Sequence, residues 1–247
     1  MALGLVALAV AAWGITRTPL LDLDHVRIDG VAGDDALFVE KTAALETGTA
    51  MFDLDLGEVE RSLEAVPWIE SATASRDWPG SVQIDVEVRV AVAQVGSTTT
   101  NTVLADRDGV LIRRGTDEQL PLVKVEPLVG LGEIDTRALV GIEVALALPD
   151  DLRIWVEAVT IDGGGANPDT GDDDRLSLGL DLIGSANARL GSAEFVADKL
   201  DAVRTVLQGA DLACVGLIDV VVADFPVMTR REDCVDPGAP TDGGADA

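Results

Sequence analysis

Alternation of hydrophobic and polar residues predicts three strands near the start of the chain. Residues 82–88 place Val, Ile, Val and Val at every second position with polar residues between them, which is the period of a half-buried strand. Residues 23–28 alternate around His25, and residues 69–76 are also predicted to be extended. A Trp-Pro-Gly turn at 78–80 joins the last two strands.

Two helices are predicted between the first and second of these strands. Asp34 and Asp35 are expected to cap the first helix, which runs to about Leu45. Asp55 caps the second, and Glu58 three residues later completes a capping-box pattern. The element order is therefore β-α-α-β-β. The apolar stripe of the second helix, at helical spacing, consists of Leu56, Val59, Leu63 and Val66.

The rest of the chain predicts a second, larger domain dominated by strands. A polar, threonine-rich stretch at 96–101 is predicted as the joint between the two domains. Beyond it, Asp106-Arg107-Asp108-Gly109 is a hairpin turn signal. Strands are predicted at 103–105, 110–113, 122–125, 152–161, 176–182, 186–190 and 215–222, and helices around Ile134, Ala138, Leu139, Ile142 and Leu146 and around Phe195, Leu200, Val203 and Leu207.

The N-terminal residues 2–15 carry no charge and predict a membrane-spanning helix. At 1.5 Å per residue the run covers about 21 Å, short of the roughly 30 Å of bilayer hydrocarbon. A cleaved signal peptide is a weaker interpretation, because no basic residue precedes the run. A buried helix of a soluble protein is weaker still, because the run ends abruptly at residues 16–19. We expect a transmembrane helix at 1–17 that is truncated at its start and lacks an upstream cytoplasmic basic tail.

The acidic composition restricts the classes of partner. The chain carries 44 acidic and 18 basic residues, a net charge of −26, so it repels nucleic acid and anionic headgroups. We therefore exclude DNA and RNA binding and interpret the acidity as solvation. Hydrophobic residues make up 47% of the chain but aromatic residues only 3%, which predicts an aliphatic core.

The inventory of reactive side chains is too small for most enzymes. His25 is the only histidine, so a three-histidine metal site is impossible and no nucleophile–histidine set is expected. The aspartates of the Gly/Asp-rich loop at 162–174 lack the spacing of an EF-hand, and its glycines lack the lysine of a phosphate loop. We predict no catalytic residue, no metal site, no cofactor and no small-molecule substrate.

Residues 22–93 carry three motifs in a fixed order. They are the segment LDHVRIDG at 23–30, the pair Pro67-Trp68, and the turn Trp78-Pro79 followed by an alternating strand. These residues resemble the POTRA domain of the FtsQ/DivIB family of division proteins. The first motif resembles the family's opening strand, and the other two give the strongest likeness. The chain departs from the family at the end of this domain, where the Glu and the Pro that the family often shows are both absent. Weaker likenesses to the family's β-domain extend the resemblance to about residues 20–230, at Asp106-Arg107-Asp108-Gly109-Val110-Leu111, Leu120-Pro121, Lys199 and Ile218-Asp219-Val220.

The resemblance implies an α+β fold in four parts. These are an N-terminal membrane helix at 1–17, a POTRA domain (β-α-α-β-β) at 20–95, a mixed α/β domain dominated by an antiparallel sheet at 100–231, and a disordered acidic tail at 235–247.

The resemblance also implies a function and a location. The protein is expected to span the cell membrane once at the division septum, with its N-terminus in the cytoplasm and both domains outside. It is expected to be a scaffold that links early and late division proteins, binds FtsB/FtsL-type partners and regulates septal wall synthesis. The alternative from another class is an extracytoplasmic enzyme that acts on peptidoglycan.

The last predicted strand is the candidate partner-binding surface. Family likeness points to the final strands, and residues 227–229 are expected to form a sheet edge that can accept a partner strand. The candidate contact residues are Val222, Asp224, Phe225, Val227, Met228, Thr229 and Arg230.

Cys214 and Cys234 are predicted to form a disulfide across this terminal hairpin. If residues 215–223 pair with 226–230 around a turn at 224–226, the two cysteines fall opposite each other or one step apart. The implied location outside the cytoplasm is oxidising. The alternative is two unrelated thiols.

We predict that the full-length protein remains in the membrane pellet after a carbonate wash. The physical reason is the uncharged run at 2–15, which has no convincing cleavage site. Cell fractionation followed by immunoblotting measures the outcome. A soluble, shortened form recovered from the medium would contradict the membrane anchor.

Overall fold

The structure is a computed structural model, and it describes residues 21–126, 128–162, 176–210, 214–231 and 234. The predicted transmembrane helix, the acidic tail and nearly all of the Gly/Asp loop lie outside the described residues. Among those that are described, no helix has the length and the apolar character that crossing a bilayer requires. The chain divides into two compact units at Val90 and Ala91, and residues 130–133 group with the first unit.

The first unit has the element order predicted for a POTRA domain. The elements are β1 (His25–Asp29), α1 (Asp34–Ala43), α2 (Leu56–Glu64), β2 (Ile69–Asp77) and β3 (Ser81–Val88). The three strands form one sheet in the order β1-β3-β2, in which β3 is parallel to β1 and antiparallel to β2. Val82, Ile84 and Val86 of β3 are buried, as their alternation predicts.

The two helices begin in different ways. Asp55 caps α2 as predicted, because its carboxylate accepts a hydrogen bond from the backbone N–H of Glu58 at 3.0 Å. The prediction that Asp34 and Asp35 cap α1 is wrong, because both lie inside the first turn and Gly33 occupies the N-cap position. There the two carboxylates act on the helix dipole instead, at its positive end.

The described part of the second unit is built on a nine-stranded mixed sheet. Its strands are β4 (Ala93–Thr98), β5 (Asn101–Ala105), β6 (Leu111–Arg114), β7 (Leu122–Lys124), β8 (Val156–Asp162), β9 (Ser177–Leu182), β10 (Ala186–Gly191), β11 (Val215–Asp219) and β12 (Val227–Arg230), and its helices are α3 (Thr136–Ala147), α4 (Asp150–Arg153) and α5 (Val196–Gly209). The strand order is β12-β11-β10-β9-β8-β7-β4-β5-β6. The pairs β4–β7, β7–β8 and β10–β11 are parallel, and the other neighbours are antiparallel.

One continuous aliphatic core holds this unit together. Helices α3 and α5 pack on the sheet and contact each other, so Ile142 and Leu200 join the same buried cluster as the sheet residues Val123, Leu180 and Ile218. On the opposite face of the sheet, ion pairs join Lys124 to Asp181 and Arg189 to Asp219. This apolar-and-polar division between faces follows from the two-residue period of the strands.

Three predicted boundaries in the second unit are wrong. The stretch at 96–101 is not a joint, because Gly96 pairs with Thr102 inside the β4–β5 hairpin. Its threonines are β-branched and therefore suit a strand despite their polarity. The first residues of the strand predicted at 152–161 belong to the short helix α4, and the strand itself begins at Val156. The strand predicted at 215–222 ends at Asp219.

The apolar face predicted for α3 is confirmed only in part. Ala138 and Ile142 are buried as predicted. Leu146 and Ile134, which precedes the helix, are exposed, and the small residues Gly141 and Ala145 are buried instead. A Cβ atom on Gly141 would lie 2.4 Å from Cγ1 of Val123 and 2.7 Å from Cδ1 of Ile161. The helix therefore approaches β7 and β8 so closely at this position that no side chain larger than hydrogen fits there without displacing a neighbour.

We predict that Gly141→Ala destabilises the second unit although alanine is the better helix former. Overpacking costs about 1–3 kcal/mol, against a helix-propensity gain of about 1 kcal/mol. Gly57→Ala in α2 is the matched control, because a Cβ there meets only Oδ1 of Asp55 at 3.5 Å, an ordinary contact. Calorimetry should show a lower melting temperature for the first variant and an unchanged or higher one for the second; the reverse order would refute the packing argument.

Candidate functional site

The candidate site is the terminal hairpin, defined as β11, β12 and the connection between them, residues 215–230. In the described sheet, β12 is the outermost strand and pairs only with β11. All four residues of β12 are exposed. This strand therefore presents one row of its backbone groups to the open side of the sheet, as the sequence predicts for the last strand.

The core of the second unit holds the first arm of the hairpin. Val215 and Ile218 are buried, and Val220 just beyond β11 is buried as well. The register pairs Ile218 with Met228 and Asp219 with Val227, which centres the hairpin on residue 223. The predicted tight turn at 224–226 is therefore wrong, because β11 ends at Asp219 and the connection spans residues 220–226.

The direction of the backbone N–H groups of β12 follows from one hydrogen bond. The N–H of Arg231 donates to the carbonyl of Cys214 at 3.0 Å, so it points toward β11. The register shift between Val215 and Leu217 lies on β11, so the N–H groups of β12 keep their regular alternation. Because successive N–H groups point to opposite sides, Thr229 donates toward β11 and Met228 donates toward the open side.

The seven predicted contact residues lie together on the terminal hairpin, and all of them are exposed. Val222, Asp224 and Phe225 are in the connection, where the N–H of Phe225 donates to the carbonyl of Val222 at 3.1 Å. The side chain of Phe225 is 76% exposed and that of Met228 is 40% exposed. The remaining predicted residues, Val227, Thr229 and Arg230, lie in β12 with Met228.

A depression of about 500 Å³ borders the hairpin connection and contains residues that the sequence did not single out as contacts. Phe195 was predicted to lie in a helix with Leu200, but it precedes α5 and is 73% exposed. The buried Lys199 closes the depression, and its Nζ donates to the carbonyl of Ser192 at 2.8 Å. Three carboxylate residues, Glu194, Asp198 and Asp224, also line it.

The strand order explains why the residues around the depression lie close together. Strands β10 and β11 are parallel neighbours joined through α5, so both strands end on the same side of the sheet. Residues 192–195 therefore come beside residues 221–224. The strand–helix–strand pattern was recognisable, but its parallel pairing was not.

Cys214 and Cys234 are joined as a disulfide at the open end of the hairpin, with their Cα atoms 5.2 Å apart. They are not directly opposed strand residues. Arg231 occupies the place opposite Cys214, and the N–H of Cys234 donates to the carbonyl of Arg231 at 3.3 Å.

The histidine and two of the tryptophans belong to the first unit. His25 is exposed on β1. Trp68 packs partly buried against the core of this unit, whereas Trp78 is about half exposed. Within the described ranges, no cluster of three or more potential metal ligands is present.

Comparison with known proteins shows that the sequence is similar to that of cell division proteins. Residues 21–89 match the family model described as the POTRA domain, FtsQ-type. The chain is similar to the cell division protein FtsQ of Rhodothermus marinus, with 29% identity over 146 residues, covering 56% of this chain and 52% of that protein. It is similar to FtsQ of Koribacter versatilis, with 27% identity covering 63% and 52%, and to FtsQ of Mycolicibacterium smegmatis, with 26% identity covering 62% and 45%. The matched part thus spans about half the length of these relatives.

We predict that reducing the disulfide destabilises the second unit by about 3 kcal/mol, the chain-entropy value for a closed loop of this size. The bond joins residues with a sequence separation of 20. Non-reducing peptide mapping should recover the peptides of Cys214 and Cys234 linked, and the Cys214→Ser/Cys234→Ser variant should unfold at lower urea concentration. Two free thiols in protein purified from the native envelope would contradict the bridge.

Proposed function

Because this chain belongs to the FtsQ/DivIB family of cell-division proteins, we propose that it is a divisome scaffold that acts through protein–protein contacts. In this role it links early and late division proteins, binds FtsB/FtsL-type partners and regulates septal wall synthesis. The N-terminal apolar run anchors it in the cell membrane at the septum, with its N-terminus cytoplasmic and both domains outside. The observation that carries the proposal is the open edge of β12.

A partner strand adds to this edge by β-augmentation. The N–H of Met228 faces the open side, where it can donate to a carbonyl of an incoming strand. The side chain of Met228 lies on the same face as that of its pair Ile218, which belongs to the core. An apolar residue of the partner strand beside Met228 therefore extends that core by one strand.

Backbone pairing alone gives only a weak complex. Each added hydrogen bond contributes about 0.5–1.5 kcal/mol net, and β12 is only four residues long. Most of the affinity must come from a few large side chains that the partner buries fully. Phe225, exposed in the connection, supplies such an anchor on this chain, and the exposed Val222 adds apolar area beside it.

Charge adds selectivity at the same place. The depression beside the hairpin is lined by Glu194, Asp198 and Asp224, and the whole chain carries a net charge of −26. A partner segment that places Lys or Arg near Phe195 is favoured, and an acidic one is repelled. We favour the scaffold over the alternative of an enzyme acting on peptidoglycan because the relatives that the chain matches are cell division proteins.

We predict that Met228→Pro abolishes recruitment of the FtsB/FtsL-type partner while the fold is retained. Proline removes an N–H that faces the open side, and an edge strand tolerates proline at such a position. Pull-down of the tagged protein from dividing cells measures recruitment, and circular dichroism measures folding.

Thr229→Pro is the matched control for this experiment. It removes the neighbouring N–H, which faces β11, so it should lower the melting temperature as well as the recruitment. Unchanged partner binding in a folded Met228→Pro variant would refute strand addition at this edge.

A further inference from the structure

The first unit displays an exposed pair of aromatic side chains that the proposed scaffold role leaves unexplained. Phe52 and Trp78 are 55% and 47% exposed, and their ring centroids lie 4.8 Å apart. Because aromatic residues make up only 3% of the chain, two of them in contact on the surface are unexpected and call for an explanation. Such a pair favours an environment that is apolar on one side and wet on the other.

The backbone around Phe52 holds its side chain outward. Met51 and Leu54 on either side are buried in the core of the unit. The guanidinium of Arg76 clamps this loop, because its Nε donates to the carbonyl of Met51 at 2.8 Å and its Nη2 donates to the carbonyl of Leu54. Phe52 therefore cannot turn inward without displacing buried neighbours.

The aromatic pair lies where the chain enters the unit. The N–H of Met51 donates to the carbonyl of Leu21 at 2.9 Å, and the N–H of Asp24 donates to the carbonyl of Gly80 at 2.8 Å. The loop that carries Phe52 and the turn that carries Trp78 thus both bond to residues 21–24. The uncharged run ends at Ile15, and the six-residue step from there to Leu21 reaches at most about 20 Å when fully extended.

A second aromatic pair marks the opposite end of the same unit. Phe38 and Trp68 have ring centroids 5.9 Å apart. Trp68 directly precedes β2 and Trp78 directly follows it. A nine-residue strand is about 30 Å long, so the two pairs lie at opposite ends of the domain.

We propose that Phe52 and Trp78 form an interfacial anchor that lies in the headgroup region of the bilayer entered by the N-terminal run. This inference rests on the proposed membrane anchor. The short tether keeps the pair at high effective concentration near the lipid surface, and tryptophan is enriched at that depth. The contact holds the POTRA domain with its entry end against the membrane and the Phe38–Trp68 end away from it.

Lipid charge determines which bilayer suits the contact. Asp22, Asp53 and Asp77 lie next to the pair or to the entering chain, and anionic headgroups repel them. Zwitterionic phosphatidylcholine is therefore the appropriate probe, and burial of the two rings supplies the attraction.

Depth-dependent fluorescence quenching tests the proposal on the full-length chain. Three single-tryptophan variants, each made by Trp→Phe substitutions at the other three positions, retain Trp13, Trp68 or Trp78. Each is reconstituted into phosphatidylcholine vesicles whose acyl chains are brominated near the headgroup. We expect Trp78 fluorescence to fall by about half and Trp68 fluorescence by less than about a tenth, since interfacial side chains lie about 5–10 Å into the headgroup boundary.

Two further variants identify Phe52 as part of the anchor. In the Trp78-only protein, Phe52→Ala should reduce the quenching about twofold by shrinking the apolar surface in the lipid. Phe38→Ala removes an exposed aromatic from the opposite end and should leave the quenching unchanged. Circular dichroism confirms that both variants remain folded.

Trp13 separates failure of this inference from failure of its premise. If Trp13 is quenched but Trp78 is quenched no more than Trp68, the interfacial anchor is overturned while the membrane span stands. If Trp13 is not quenched, the span itself is overturned and the anchor with it. In either case the partner pull-down with Met228→Pro still tests the scaffold role.

Discussion

An open β-sheet ends in strands that are hydrogen-bonded on one side only, and this constraint governs what the second unit offers to other molecules. The described sheet ends at β12 on one side, after a parallel crossover through α5 and a return hairpin. A short edge strand whose residues are all exposed gains little from packing and tends to fray. The Cys214–Cys234 bridge and the bond from Arg231 to Cys214 hold its far end in place, so the edge stays ordered while its outer side stays open.

In both units aliphatic residues fill the core, whereas phenylalanines lie on the surface. The buried core of the described residues is built from Val, Leu, Ile and Ala with one Met, and all four phenylalanines are exposed. Phe225 and Phe195 lie at the terminal hairpin, whereas Phe52 and Phe38 lie at the two ends of the first unit. A core without aromatic rings is held by many small contacts, and it leaves the larger side chains for surfaces where they can anchor a neighbour.

Most elements could be predicted from the sequence because the interactions that form them join residues only a few positions apart. The alternation at 82–88, the Asp55 cap and the Asp106–Gly109 turn each depend on residues a few positions apart, and the structure contains all three as predicted. The motifs around Trp68 and Trp78 were enough to suggest the POTRA domain, which the family model matches. The prediction of a domain joint at 96–101 was wrong, because composition alone does not distinguish a polar joint from a strand whose partners lie elsewhere in the sequence.

The sequence by itself therefore determined the kinds of elements, the aliphatic core, the acidic surface and the identity of the last strand. Tertiary structure alone decided the order of the nine strands, because parallel pairing between β10 and β11 depends on contacts far apart in sequence. That order brought Phe195 and Lys199 beside the hairpin. Within the hairpin, a bulge at Gly216 shifts the register between β11 and β12. Tertiary structure also decided that Gly141 and Ala145 join Ile142 on the buried face of α3, since the close approach of the helix to Val123 and Ile161 leaves no room for a larger side chain at Gly141.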